Sequence, residues 1–243
     1  MFRTAVLALA IGYLLPSYSI LRRLADARDE LALSALKVEG SAAIGPAAAR
    51  DVAALMGVDW QSGELMLNFT ASLKFPGRCR LELSSPESTK LLVAVSSNGK
   101  RRHEGGELPA LQLAVDEVCA LLVLRGAGDG DSRAAVEKHL AALKVNTRAI
   151  SLGRFRGTVA YVLGDTAEGA AQLWVYKDGF APARIRVTDD KQIAWDVQFF
   201  DYTSQAAGEA FPRQLLVSKG GEQVLRLTAL KGEPKPKLDD ALF

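Results

Sequence analysis

The sequence predicts an α+β protein that consists mostly of antiparallel strands, with helices against the sheet. Apolar and polar residues alternate over long stretches, and residues 65–75 give six consecutive apolar matches to period two, which a helix cannot satisfy. Turn signals such as Asn98-Gly99 and Gly220-Gly221 separate these stretches, as antiparallel hairpins require. Helical spacing is confined to a few segments, of which residues 108–124 are the most apolar.

Composition excludes several classes of function. The 243 residues are 49% hydrophobic and 24% charged, as in an ordinary globular protein. Thirty basic against 28 acidic side chains leave a net charge of +2, which argues against a nucleic-acid partner. Two cysteines and two histidines are too few for a disulfide scaffold or a histidine-rich metal site. We therefore predict no metal and no cofactor.

Residues 1–19 have the features of a secretory signal peptide. Arg3 provides the positive start, and the apolar run 5–15 is shorter than the roughly 20 residues that span a bilayer. Pro16 ends the run, and small residues precede a cleavage site after Ser19. No cysteine follows the run, so a lipid-anchored start is not supported. We expect an exported chain that is soluble after cleavage; the alternative is an uncleaved N-terminal anchor.

The remaining chain divides into segments of clear period. Residues 20–231 contain no linker and no repeat, and we expect them to form one domain, with 232–243 as a flexible tail. Helical spacing predicts helices, and period-two spacing predicts strands. The predicted helices are Ile20–Leu36, Ala47–Met56, Leu108–Leu124 and Ser132–Leu143, and the predicted strands include Lys37–Ile44, Leu65–Phe75, Cys79–Leu83, Leu91–Val95 and a meander from Leu152 onward.

The motifs that normally carry catalysis are missing. The glycine-rich stretch 126–130 follows a helical segment, so it does not fit a dinucleotide loop, and Asp131 or Ser132 is expected to cap the next helix. His103 is followed by glycines, which does not fit a zinc-binding helix, and His139 is expected at the surface or its boundary. Acidic pairs such as Asp116-Glu117 are expected to be turn or surface charges and not an acid/base dyad. We predict no catalytic residue and no enzyme.

Cys79 lies on the apolar face of a predicted strand, and Cys119 lies on the apolar predicted helix. Both side chains point into the same core if the helix covers the sheet. Two buried free thiols are one interpretation. An exported compartment also permits a disulfide between them.

Several short motifs resemble the bacterial outer-membrane lipoprotein carrier superfamily, the LolA/LolB-like proteins. They follow one another in the family's order between Leu31 and Lys231. They are Phe75-Pro76-Gly77-Arg78-Cys79-Arg80-Leu81 within Gly63–Glu82, Ser96-Ser97-Asn98-Gly99-Lys100, the strand–turn–strand Leu173–Ile185, Trp195–Tyr202 and Phe211–Val217.

The resemblance implies an unclosed, half-barrel sheet whose concave face is covered by helices and encloses an apolar cavity for acyl chains. With the alternation above, such a sheet would turn one set of side chains inward, and the apolar helix would act as a lid. The implied ligand-binding residues are Leu65, Leu67, Phe69, Leu81, Leu83, Leu91, Val93, Val95, Leu111, Val115, Val118, Leu122, Tyr161, Leu173, Val175, Val197 and Phe199. The alternative is that these side chains simply form a packed core.

The implied function is a periplasmic carrier or chaperone that holds the acyl chains of a lipoprotein or lipid for transfer to the outer membrane. Its partners would be acylated lipoprotein or lipid and membrane components of the envelope, with no nucleic acid, and the protein would be a monomer. One alternative is a non-transporting envelope protein that uses the fold as an interaction scaffold. Another is an enzyme acting on lipids, which the missing nucleophile–base pair disfavours.

One position departs from the family pattern. Soluble carriers of this family place a basic residue directly before the proline of the Phe75-Pro76-Gly77 segment, where it holds the lid closed. This chain has Phe75 there, and alternation places Lys74 on the opposite face. Apolar contact is expected to replace the polar latch.

Processing at the N-terminus gives the first testable prediction. Protein purified from its native host should begin near Ile20, because the signal peptidase removes residues 1–19. Intact-mass spectrometry measures this directly. An intact Met1 would contradict the assignment of a cleaved signal.

Overall fold

The computed structural model describes residues 14–123, 131–203 and 208–243. These residues form one twelve-stranded antiparallel sheet and four α-helices, so the predicted α+β class is correct. The helices are α1 (Ser17–Asp29), α2 (Pro46–Met56), α3 (Pro109–Val118) and α4 (Ser132–Ala142), and a π-helical turn (Cys119–Val123) follows α3. The strands are β1 (Ala35–Ile44), β2 (Leu65–Lys74), β3 (Arg78–Ser85), β4 (Ser88–Ser97), β5 (Lys100–Glu104), β6 (Ile150–Phe155), β7 (Thr158–Leu163), β8 (Gln172–Tyr176), β9 (Pro182–Thr188), β10 (Ala194–Phe200), β11 (Gln214–Lys219) and β12 (Glu222–Pro234).

The sheet is open. Its strands lie in the order β5-β4-β3-β2-β1-β12-β11-β10-β9-β8-β7-β6, so β5 and β6 are the two edges. Each half is a meander in which neighbouring strands follow one another in sequence, as the hairpin signals predicted. Apolar side chains of all four helices join the core on one side of the sheet. We call this side the concave face and the other side the convex face, and the architecture is the predicted unclosed half-barrel.

The two meanders join where β1 pairs with β12, from Leu36 opposite Pro234 to Ile44 opposite Leu225. The register shifts between Glu39 and Gly40, which marks a bulge. A Cβ atom at Gly40 would lie only 2.0 Å from the backbone oxygen of Thr228 and 2.6 Å from the Phe69 ring. Glycine at this position therefore permits the close approach of the strands at the junction.

Most predicted helices have their expected ends. Pro46 occupies the first turn of α2, where proline is tolerated, and Gly57 ends this helix with φ of 66°. Asp131 caps α4 by accepting a hydrogen bond from the backbone N–H of Arg133 at 3.0 Å. Residues 124–130, which include the end of the predicted Leu108–Leu124 helix and the glycine-rich stretch, lie outside the described residues.

The first helix is shorter than its apolar spacing predicted. It ends at Asp29, not Leu36, because Ala32 adopts a left-handed conformation with φ of 48° and the chain then enters β1 at Ala35. Ala35 and Leu36 belong to the sheet because both pair with β2, and Leu36 also pairs with β12. At its other end α1 begins at Ser17, so the predicted cleavage site after Ser19 falls within its first turn.

The C-terminal boundary also differs from its prediction as a flexible tail from residue 232. Residues 232–234 continue β12 and pair with β1, with Gly232 opposite Val38. Beyond them, a short 3₁₀ helix (Asp240–Leu242) lies close enough to β2 and β3 for Asp240 to pair with Lys74 and Arg78. These ion pairs hold the segment on the sheet. The proline- and lysine-rich composition of the segment does not predict them.

Cys79 of β3 and Cys119, directly after α3, form a disulfide with Cα atoms 5.6 Å apart. Of the two interpretations that the sequence left open, the bridge is therefore correct. The disulfide joins two residues that are 40 positions apart, and it links the start of the π-helical turn to the beginning of β3.

The disulfide gives a prediction for stability. Reduction of the wild-type protein should lower its free energy of unfolding by about 2–4 kcal/mol, because an unbridged loop of this length gains conformational entropy when unfolded. Urea denaturation with and without reductant measures the difference. The double variant Cys79→Ala/Cys119→Ala serves as the control, since its midpoint should not respond to reductant. Equal midpoints for oxidised and reduced wild type would contradict the prediction.

Candidate functional site

The concave face carries a continuous apolar cluster that is shared between the sheet and the helices. Fourteen of the seventeen predicted ligand-binding residues belong to it, each at most 7% exposed. They are Leu65, Leu67, Phe69, Leu81, Leu83, Leu111, Val115, Val118, Leu122, Tyr161, Leu173, Val175, Val197 and Phe199. The structure therefore brings these residues together, and they pack against one another and the helices. Ligand binding by them stays a prediction.

Three predicted residues lie on the other face. Across the β3–β4 ladder, Leu81 pairs with Ala94 and Leu83 with Leu92. The even-numbered residues Leu92 and Ala94 therefore face the concave side with β3, and Leu91, Val93 and Val95 face the convex side. The prediction was wrong because Leu91 to Val95 is continuously apolar, so that its period two has no preferred phase.

These convex residues have different environments. Val93 and Val95 are at most 2% exposed although they lie outside the main core, whereas Leu91 is 38% exposed. Val95 lies between Arg80 and Arg102 in the ladder, and Val93 lies between Glu82 and Glu104. Ion pairs link Arg80 to both carboxylates. We infer that the aliphatic parts of these long side chains cover the valines.

The α1 helix contributes core residues that the sequence did not assign to the site. Ile20, Leu21 and Leu24 are at most 1% exposed and belong to the same apolar cluster. Their helical spacing was visible, but the sequence could not show that α1 packs on the sheet. Arg23 of this helix lies 5.1 Å from the centroid of the Phe180 ring, which stacks on Tyr161. The helix is thereby placed over the β7–β9 side.

Arg28 anchors the end of α1. Its side chain is buried, and it donates hydrogen bonds from Nη2 to the backbone oxygen of Glu209 at 2.8 Å and from Nη1 to that of Ala210 at 3.3 Å. The guanidinium lies 5.6 Å from the centroid of the Tyr202 ring. Burial lowers the pKa of Arg28 from its ordinary value. Two carbonyls, an aromatic ring and the charge of Glu209 thus stabilise a buried cation that fixes α1 against the loop before β11.

A second polar contact joins α3 to α4. Glu117 is 1% exposed, so its prediction as a surface charge was wrong. Its Oε2 lies 2.9 Å from Nε2 of His139, which is half-buried at the boundary as predicted. Burial disfavours the charged imidazolium, but the Glu117 carboxylate outweighs it and raises the pKa of His139. The pair holds α4 against the C-terminal end of α3, directly before the disulfide-bonded Cys119.

Phe75 precedes a cis peptide bond to Pro76. As predicted, this position makes apolar contacts. Phe75 is partly buried against the apolar core, whereas Lys74 lies on the convex face and pairs with Asp240. Phe75 thus packs against the core at the expected position of the basic residue, and the charge of Lys74 lies on the convex face.

The open antiparallel half-barrel with helices on an apolar concave face is a LolA-like fold, as similarity to one solved structure shows. A LolA superfamily protein of Nitrosomonas europaea is similar over 95% of this chain and 98% of that protein, with a TM-score of 0.53 at 11% identity. A DUF1329 family protein of Desulfovibrio piger covers 93% of this chain and 97% of its own, with a TM-score of 0.47 at 13% identity.

A Vibrio parahaemolyticus domain, described as an outer-membrane lipoprotein-sorting domain, covers 92% of this chain and 94% of its own, with a TM-score of 0.46 at 11% identity. No protein-family model matches the sequence, and no curated protein matches it either. The similarity to the Nitrosomonas europaea protein confirms the predicted resemblance at the level of the fold. Among the described residues, no helix combines the length and apolar character needed to cross a membrane.

The Glu117–His139 pair predicts a pH-dependent contribution to stability. Because the folded protein raises the pKa of His139, this contribution is complete below about pH 6.5, the ordinary value, and is lost as pH rises through the raised pKa. His139→Gln should therefore destabilise the protein by on the order of 1 kcal/mol at low pH, with the difference from wild type shrinking as pH rises. Urea denaturation from pH 5 to 9 measures it.

The matched control for this pair is His103→Gln, since His103 is exposed on β5. It should leave the pH profile of stability unchanged. A destabilisation by His139→Gln that stays constant over the whole pH range would show that the charged pair does not stabilise the fold.

Proposed function

We propose that this protein is a non-enzymatic periplasmic carrier or chaperone that binds the acyl chains of a lipoprotein or lipid on its concave face and delivers them to the outer membrane. The observation that carries the proposal is the continuous apolar cluster between the sheet and separate covering helices. The signal-like N-terminus and the family-like motifs support the compartment and the ligand class.

A bound acyl chain would replace contacts that the helices now make. Each buried methylene contributes about 0.8 kcal/mol, so a chain of about 16 carbons gains roughly 12 kcal/mol. Burial of Ile20, Leu21 and Leu24 of α1 contributes about 5–9 kcal/mol in total, at about 1.5–3 kcal/mol for each side chain. These amounts are of the same order. Exchange between helix and ligand is therefore reversible, as a carrier requires.

The contacts of the helices indicate which of them moves. The disulfide at Cys119 ties the end of α3 to β3, so α3 stays with the sheet. No disulfide ties α1 to the sheet, and the C-terminal end of α1, next to its connection to β1, is held by the hydrogen bonds of Arg28 to the two backbone oxygens. We propose that α1 swings away from the β7–β9 side to admit the ligand, and that Arg28 restrains this opening.

Arg28→Ala tests the proposal. Losing hydrogen bonds from a charged donor favours the open state by about 1.5 kcal/mol or more, so affinity for a dansyl-labelled fatty acid should rise about tenfold. Fluorescence titration measures the affinity, and circular dichroism verifies the fold of each variant. Lipid analysis of protein from its native host should also find acyl ligands.

Arg22→Ala is the matched control, since Arg22 lies on the same helix and forms an exposed ion pair with Asp26. It should bind the probe as wild type does. Absence of saturable binding in folded wild type and folded Arg28→Ala, together with no acyl ligand in native protein, would overturn the carrier function.

A second candidate is a non-transporting envelope protein that uses this fold as an interaction scaffold. The observation that favours it is the tight occupation of the concave face by the protein's own helices, fixed by the disulfide and by Glu117–His139. Crosslinking in intact envelopes distinguishes the two functions. Recovery of a stable protein partner without lipid favours the scaffold, whereas recovery of acylated molecules favours the carrier.

A further inference from the structure

The segment that follows β12 returns across the convex face. We call residues 235–243 the strap. The backbone N–H of Lys235 donates to the oxygen of Ala35 at 2.8 Å. Lys74 donates from Nζ to the backbone oxygen of Leu238 at 3.2 Å. The carboxylate oxygen Oδ1 of Asp240 lies 2.5 Å from Nζ of Lys74 and 2.6 Å from Nη1 of Arg78.

Two further arginines contact the strap. Arg80 and Arg102 approach the backbone oxygen of Leu242 at 3.5 Å and 3.3 Å. The sheet therefore presents four cationic side chains, Lys74, Arg78, Arg80 and Arg102, which we call the basic surface. Arg80 and Arg102 also pair with Glu82 and Glu104, so Lys74 and Arg78 carry the charge that Asp240 meets. Beneath the strap lies a cavity of about 550 Å³, whose lining includes Thr70, Ser72 and Glu82 of the sheet and Pro236, Lys237 and Leu238 of the strap.

The contacts of the strap are polar and close to solvent. None of its residues is buried, and the Asp240 side chain is 66% exposed. The hydrogen bond from Lys74 and the nearby Arg78 lower the pKa of Asp240, so the carboxylate is charged at neutral pH. Exposed ion pairs are individually weak. Covalent tethering nevertheless keeps the strap at high local concentration over the basic surface. The strap therefore binds this surface, and a competing ligand can displace it.

We propose that the basic surface is a docking site for an acidic peptide segment of a partner protein, and that the strap occupies it until the partner displaces it. The surface contacts three acceptors of the strap: the Leu238 oxygen and, on the 3₁₀ helix, the Asp240 carboxylate and the Leu242 oxygen. A peptide supplies such a set from its backbone and one acidic side chain, whereas a lipid headgroup supplies a single anion. The inference concerns the face opposite the proposed acyl site and does not depend on acyl binding.

The experiment uses full-length protein and a fluorescent peptide of residues 235–243. Asp240→Asn should loosen the strap and raise affinity for the peptide at least tenfold over wild type, measured by fluorescence anisotropy. Asp239→Asn is the matched control. It removes the same charge, but Asp239 accepts a hydrogen bond from the N–H of Ala241 within the strap at 3.0 Å, a contact that asparagine retains. This control should bind the peptide as wild type does.

Adding Lys74→Gln to the Asp240→Asn protein should reduce peptide affinity at least tenfold, whereas adding Lys191→Gln, an exposed charge in the β9–β10 turn, should leave it unchanged. The proposal is overturned if the peptide does not bind Asp240→Asn protein, or if Lys74→Gln has no effect. Binding of phosphatidylglycerol vesicles without binding of the peptide would also overturn it and assign the surface to anionic lipid.

Discussion

The pairing of β1 with β12 is the constraint on which the rest of the structure depends. All other neighbouring strands are also neighbours in sequence, so local hairpins build two separate meanders. Only this ladder joins them into one sheet, and it must bring residues nearly 200 positions apart into register. Gly40 makes the approach feasible, since a side chain there would collide with β12 and with Phe69. Without this junction neither meander would have a concave face large enough to bury the helices.

The two faces of the sheet solve different physical problems. The concave face is apolar and is sealed by helices, two of which are held in place by a disulfide and a buried carboxylate–imidazole contact. The convex face of β2–β5 carries charged side chains, and their ion pairs hold the strap. Apolar burial is non-directional and permits exchange with a hydrocarbon ligand. The strap is instead held by ion pairs and by hydrogen bonds to its backbone oxygens. A peptide can replace the strap in both kinds of contact.

Several features were predictable because they depend on local chemistry. The strands β1, β2 and β3, the helices α2 and α4 and the Asp131 cap follow from spacing and capping residues. The β4 face was not predictable in the same way, since its register depends on pairing with β3. Burial of Glu117 depends on His139 in another helix, and burial of Arg28 depends on carbonyls about 180 residues away. No local pattern reports such partners.

The sequence by itself determined the class of fold, the meander of strands, and most of the side chains that meet on the concave face, because alternation at period two assigns a face wherever polar residues separate the apolar ones. The tertiary structure decided the phase of the continuously apolar β4, the end of α1, the disulfide and the seating of the strap. Each of these depends on which distant group lies opposite. Alternation along a single strand does not specify such partners: β4 pairs with β3, Cys79 bonds to Cys119, and the strap pairs with β2 and β3.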